Sequence, residues 1–141
     1  MEIKLAETKE DFLKCWDVVH ELRPHLDQEQ YLTLMLYMLD EGYKMIFIEE
    51  DGLGVCFCGY RYTTMLHRGR SIYIDDLCCL PSSRGKGYAG SLLKHVIEEA
   101  KKDEMKSVHL DSGHQRYDAH RLYLNHRFKI TSHHFALELG G

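Results

Sequence analysis

The stretch PSSRGKGYAGSLLKHV, residues 81–96, sets three glycines and the cations Arg84 and Lys86 directly ahead of an amphipathic run. Ala89, Leu92, Leu93, Val96, Ile97 and Ala100 fall at i, i+3, i+4, i+7, i+8 and i+11, one face of a helix that continues to Lys101 and Lys102. A helix start leaves amide N–H groups unpaired and carries roughly half a positive charge. A diphosphate placed there meets many donors at once. It comes close only where side chains are small, which Gly85 and Gly87 provide, and Arg84 and Lys86 add formal charge. A turn that only started a helix would need one glycine, so the stretch reads as a phosphate-binding loop.

Gly85, Gly87 and Gly90 also spell G-x-G-x-x-G, and Asp111 follows where a ribose-binding acid would stand. The context excludes a dinucleotide fold. Such a fingerprint opens a doubly wound sheet with further strand–helix units to come. Here a meander of strands precedes the loop and one short helix follows it. A nucleoside triphosphate loop fails too, because Gly87 rather than Ser or Thr follows Lys86.

Outward from the loop, the period changes from 3.6 to 2. SIYIDDLCCL (71–80), GVCFCGYRYTTML (54–66) and YKMIFIEE (43–50) read as strands, joined by turn signals at Arg68-Gly69 and Asp51-Gly52. They form an antiparallel meander. EIKLAE (2–7) is a first strand. Thr8 with Asp11 opens a helix that Pro24 ends, and Asp27 caps a second helix closed by Gly42. After the glycine loop come a strand at KSVHLDSG (106–113), a short helix from Asp118, and one or two closing strands in FKITSHHFALEL (128–139). The strand, helix and strand around the loop make a right-handed parallel unit. The fold class is α+β: a mixed, mostly antiparallel central sheet flanked by helices, with one parallel βαβ unit.

At 141 residues, one domain spanning 1–141 is expected. A hydrophobic share of 44% suits a soluble globular chain, and the longest apolar run is too short to span a bilayer. The acidic start lacks a signal-peptide layout, so a cytoplasmic location is expected, with no membrane partner. A net charge of −4 argues against nucleic acid as a partner. The five cysteines, without C-x-x-C, read as reduced, mostly buried thiols. Ten histidines show no metal-ligand spacing, so no metal is expected.

Two separated segments then resemble one family. Arg84-Gly85-Lys86-Gly87-Tyr88-Ala89 matches the R/Q-x-x-G-x-G/A motif of the GNAT acetyltransferase superfamily, with Leu77-Cys78-Cys79-Leu80-Pro81 as its lead-in strand. DAHRLYLNHRF (118–128) resembles that family's A-x-x-L/F-Y-x-x-x-G-F segment, with Arg127 standing where glycine is common.

The resemblance implies acetyl transfer from acetyl-CoA, a co-substrate, to a primary amine of a small molecule or peptide by direct attack. Arg84, Gly85, Lys86, Gly87, Tyr88, Ala89 and Gly90 would hold the diphosphate. Leu77, Cys78 and Cys79 would line the pantetheine arm, with backbone contacts from Leu77 and Cys79, and Ala119 and Tyr123 would complete the cofactor site. Tyr123 would be the general acid at sulfur. Asp75 and Asp76, two acids mid-strand before the loop, are the candidate bases, and alternation favours Asp76; a water relay from either, or from His109, is an alternative, and acids that are solvated or paired with arginine are the blander reading. Tyr31, Met35, Tyr37 and Met38 are candidates for the acceptor pocket, with helix core as the blander reading. The same pattern admits a non-catalytic acyl-CoA-binding module, and a homodimer.

Overall fold

A computed structural model describes residues 1–140. They fall into two compact units, Met1–Leu110 and a shorter one from Asp111 onward. The first holds β1 (Ile3–Leu5), α1 (Lys9–Lys14), α2 (Trp16–Leu22), α3 (Gln28–Asp40), β2 (Lys44–Glu50), β3 (Leu53–Met65), β4 (Gly69–Cys79), a single 3₁₀ turn at Pro81–Ser83, α4 (Tyr88–Lys102) and β5 (Ser107–Leu110). The second holds α5 (Tyr117–Asn125).

The sheet follows chain order, β1-β2-β3-β4-β5. Its first three pairings are antiparallel, and β4 with β5 is parallel. The capping boxes form as their chemistry demands. The Thr8 and Asp27 side chains accept from the backbone of Asp11 and Gln30, and those two side chains accept from the cap backbones. The helix expected from Thr8 to Pro24 is instead two, because the chain tightens at Cys15, whose N–H reaches both Asp11 O and Phe12 O.

Side chains alternate across a strand, so two faces must be covered. Met45, Phe47, Phe57 and Cys78 join Phe12, Val18, Val19, Tyr31 and Met35 in the core under α1, α2 and α3. Ile46 and Ile48, one position out of phase, are buried on the opposite face, where α4 sets down its buried stripe of Leu92, Leu93, Val96 and Ala100. Burying each large apolar side chain contributes about 2 kcal/mol.

Two irregularities of β4 shape the end of the sheet nearest the glycine loop. Gly59 pairs with Asp76 and Tyr60 with Ile74, so Asp75 is a bulge with no Cα partner on β3. And β5 pairs with β4 only over Ser71–Ile74, while β4 runs on to Cys79. From Asp75 onward, that edge of β4 has no strand beside it among the described residues.

The closing strands expected at 128–139 do not form. After α5 the described residues hold no helix or strand, and Ile130, Phe135, Leu137 and Leu139 are exposed. Alternation shows which faces a chain would present if paired; only a partner strand supplies the ladder.

Candidate functional site

The glycine loop begins where β4 ends. Arg84 is extended, and Gly85 and Gly87 take φ of 81° and 79°, a left-handed conformation that costs other residues about 1 kcal/mol or more. Gly87 is the N-cap of α4, and no side chain caps the helix. The first-turn amides of α4 therefore lack the side-chain acceptor that Thr8 and Asp27 give α1 and α3. A Cβ added at Gly85 or Gly87 would meet nothing within 4 Å. Glycine is required here by backbone geometry, and the space above the loop is open.

Both loop cations are engaged. Arg84 Nε donates to the Cys79 carbonyl at 3.2 Å, which folds its stem against the end of β4. Lys86 Nζ lies 3.4 Å from both carboxylate oxygens of Glu50, on β2. Ser83 and Tyr88 hydroxyls donate to the same carboxylate. The Tyr88 hydrogen bond is the largest influence holding the Glu50 carboxyl below its usual range, against some desolvation and with help from Lys86.

The acids of β4 are held by residues that sequence reasoning does not single out. Arg23, just past α2, donates from Nε and Nη2 to Asp76 Oδ1 at 3.2 and 2.8 Å, and from Nη2 to the Asp75 carbonyl. Tyr43 donates to Asp76 Oδ2 at 2.7 Å. Arg61 forks onto Asp75, with Nε on Oδ1 at 3.1 Å and Nη2 on Oδ2 at 2.7 Å. Its guanidinium also lies over the Tyr43 ring, 5.4 Å from the centroid. Burial raises the Asp75 carboxyl above its ordinary value although Arg61 pulls the other way. Burial, then Asp76, pushes the Tyr43 phenol well up. The bulge breaks the alternation that would send Asp75 and Asp76 to opposite faces. Two adjacent acids mid-strand do demand cationic partners, but only the fold identifies them: the β3–β4 register brings Arg61, and the end of α2 brings Arg23.

The cysteines require a correction. Cys56 and Cys79 are not reduced thiols but a disulfide: the β3–β4 register sets them face to face with Cα atoms 3.9 Å apart. Cys15, Cys58 and Cys78 keep their thiols and are buried. Burial raises the Cys58 thiol far above its usual value and Cys15 to about 12, so neither offers a thiolate for an acyl-enzyme route.

Leu77, Cys78 and Cys79 have buried side chains. Tyr31 and Met35 belong to the core, Tyr31 donating to the Phe12 carbonyl at 2.8 Å. Met38 packs against that core, and Tyr37 is exposed. Ser107 and His109 share a 2.6 Å hydrogen bond on β5.

In the second unit, Tyr123 is buried on α5 and Ala119 half-buried. The helix ends in a Schellman motif: Phe128 N–H donates to Tyr123 O, and Arg127 N–H to Leu124 O. The Tyr123 and Phe128 rings meet at 6.0 Å. Arg127 stands at the left-handed position, with φ of 69°. Glycine would take that conformation without strain.

Among the described residues no helix is long and apolar enough to cross a membrane. Residues 5–128 match the profile of the Acetyltransferase (GNAT) family. Over 137 residues, and 96% of both chains, the sequence is 33% identical to the "Uncharacterized N-acetyltransferase YhdJ" of Bacillus subtilis (strain 168). The ribosomal-protein-alanine N-acetyltransferase of Brucella melitensis biovar Abortus 2308 has the same fold, with a TM-score of 0.82 at 16% identity over 99% of this chain and 100% of that one. AAC(6')-Iy, solved in complex with the bisubstrate analog CoA-S-monomethyl-acetylneamine, gives 0.80 at 14% identity over 100% of each chain. The profile over residues 5–128 and the 33% identical relative together show that the chain is an N-acetyltransferase of the acetyltransferase (GNAT) family.

Proposed function

We propose that this enzyme moves an acetyl group from acetyl-CoA to a primary amine by direct attack. The observation that carries the reading is the uncapped start of α4 behind two left-handed glycines, open to an anion. The loop from Arg84 to Gly90 takes the diphosphate through its amides, and Arg84 contributes the N–H groups that Cys79 leaves unused. The open edge of β4 at Leu77, Cys78 and Cys79 takes the pantetheine arm by backbone pairing. A neighbour of the same fold was solved with a CoA conjugate, which fits this assignment.

The thioester supplies the activated acyl group. An alkylamine is protonated at neutral pH and must lose a proton before it attacks. Of the two acids on β4, Asp75 is the better acceptor, because burial raises its proton affinity. Asp76, held by Arg23 and Tyr43, anchors the bulge. Asp75 acts through a water, since Arg61 occupies both its oxygens. Tyr123 protonates the departing sulfur.

The test has two arms. CoA, but not NAD, should raise the melting point, since a ligand selective for the folded state stabilises it. Thiol release should then appear with a panel of amines. No thermal shift with CoA would end the loop assignment, and full turnover by Tyr123→Phe at every pH would end the acid assignment.

A further inference from the structure

The loop's own anion is Glu50. It is the last residue of β2, pinned opposite Leu53 by the turn into β3. Its neighbour Glu49 is taken by Lys4 and Lys14. Glu50 instead gathers Ser83 Oγ, Lys86 Nζ and Tyr88 Oη, three donors spread along the glycine loop and the first residue of α4. The Lys86 pair is partly exposed, with side chains 46% and 34% accessible, so solvent and ligand can both reach it.

We propose that Glu50 is a built-in competitor for the coenzyme: it holds Lys86 and Tyr88 in the free protein, and the diphosphate must take them from it. The inference rests on the loop being the diphosphate site. Its physics is simple. An ammonium that already has a carboxylate gains little by exchanging it for a phosphate. A fixed negative charge at the rim also repels a second anion, more weakly as salt rises. Glu50 thereby sets the affinity of the coenzyme, keeping it lower than the loop alone would give.

The experiment is calorimetric titration of CoA into wild type, Glu50→Gln, Lys86→Met, the double variant and Gly87→Val. Thermal melts check that each is folded. Glu50→Gln should bind CoA about two- to fivefold more tightly, the scale of one partly exposed charge pair, with the gain shrinking in high salt. Lys86→Met should cost less than about threefold in the wild-type background and more in Glu50→Gln, a coupling that a merely structural Glu50 would not produce. Unchanged or weaker binding by Glu50→Gln, or a large loss from Lys86→Met alone, overturns the inference. If CoA binding survives in Glu50→Gln without gain yet vanishes in Gly87→Val, the loop reading stands and only Glu50's role falls. If wild type binds no CoA, both fall.

Discussion

At Gly59 an added Cβ would lie 1.6 Å from the Tyr43 hydroxyl oxygen and 2.2 Å from its Cζ. Both residues are buried and the phenol is tied to Asp76, so moving it aside breaks that hydrogen bond. Gly59→Ala should therefore cost about 2 kcal/mol or more and lower the melting point accordingly, the usual penalty of overpacking. Because Tyr43 holds Asp76, the same change should loosen the bulge and reduce turnover at temperatures where the protein remains folded. An Ala variant as stable and active as wild type would contradict this packing. Asp75 yields a second expectation. Its carboxyl is raised by burial, so if it is the base proposed above, its basic form is lost as pH falls through that raised value, and kcat/KM should drop on the acid side. The sign for stability is opposite: a raised carboxyl favours the protonated form in the fold, so its contribution is largest at low pH and fades as pH rises through the folded value. Asp75→Asn should flatten the acid limb of the rate profile. A limb that stays in place would move the base elsewhere.

At the scale of elements, the α5 terminus shows what one departure from a family pattern means. The two Schellman hydrogen bonds fix the chain reversal, and Arg127 bears the left-handed conformation that glycine adopts freely. Arg127→Gly should raise stability by up to about 1 kcal/mol, read from denaturant midpoints, with α5 and Tyr123 unmoved. A destabilised variant would mean the arginine side chain contributes more than its backbone loses. Elements also differ in how far the sequence discloses them. The loop and α4 are legible because glycine spacing and a 3.6-residue period are local signals. The pairing of Asp75 with Arg61 is not, because it depends on a bulge that inserts one residue into β4. The closing segment misleads for a related reason: Phe135, Leu137 and Leu139 alternate as a strand would, yet alternation names no partner.

For the molecule as a whole, the Cys56–Cys79 bridge is the feature that composition points away from. Five cysteines without a recognisable spacing read as thiols, and only the register that faces Cys56 with Cys79 changes that. The bridge joins two neighbouring strands at the point where β4 enters the glycine loop, so it fixes the strand that feeds the site. It closes a sequence separation of 23 residues. Constraining a loop of that length in the unfolded chain stabilises by about 3 kcal/mol on the chain-entropy account. In a protein of this size that amounts to roughly 10 °C in melting point. Reductant should lower the transition by about that much in wild type and leave a Cys56→Ser variant unmoved. The thiol count gives an independent reading. Cys15, Cys58 and Cys78 are buried, so an aromatic disulfide reagent should find almost no thiol in the native protein. It should find three after unfolding, and five only after prior reduction. Five thiols on simple unfolding, with a transition indifferent to reductant, would show that the two strands hold their register without the bridge.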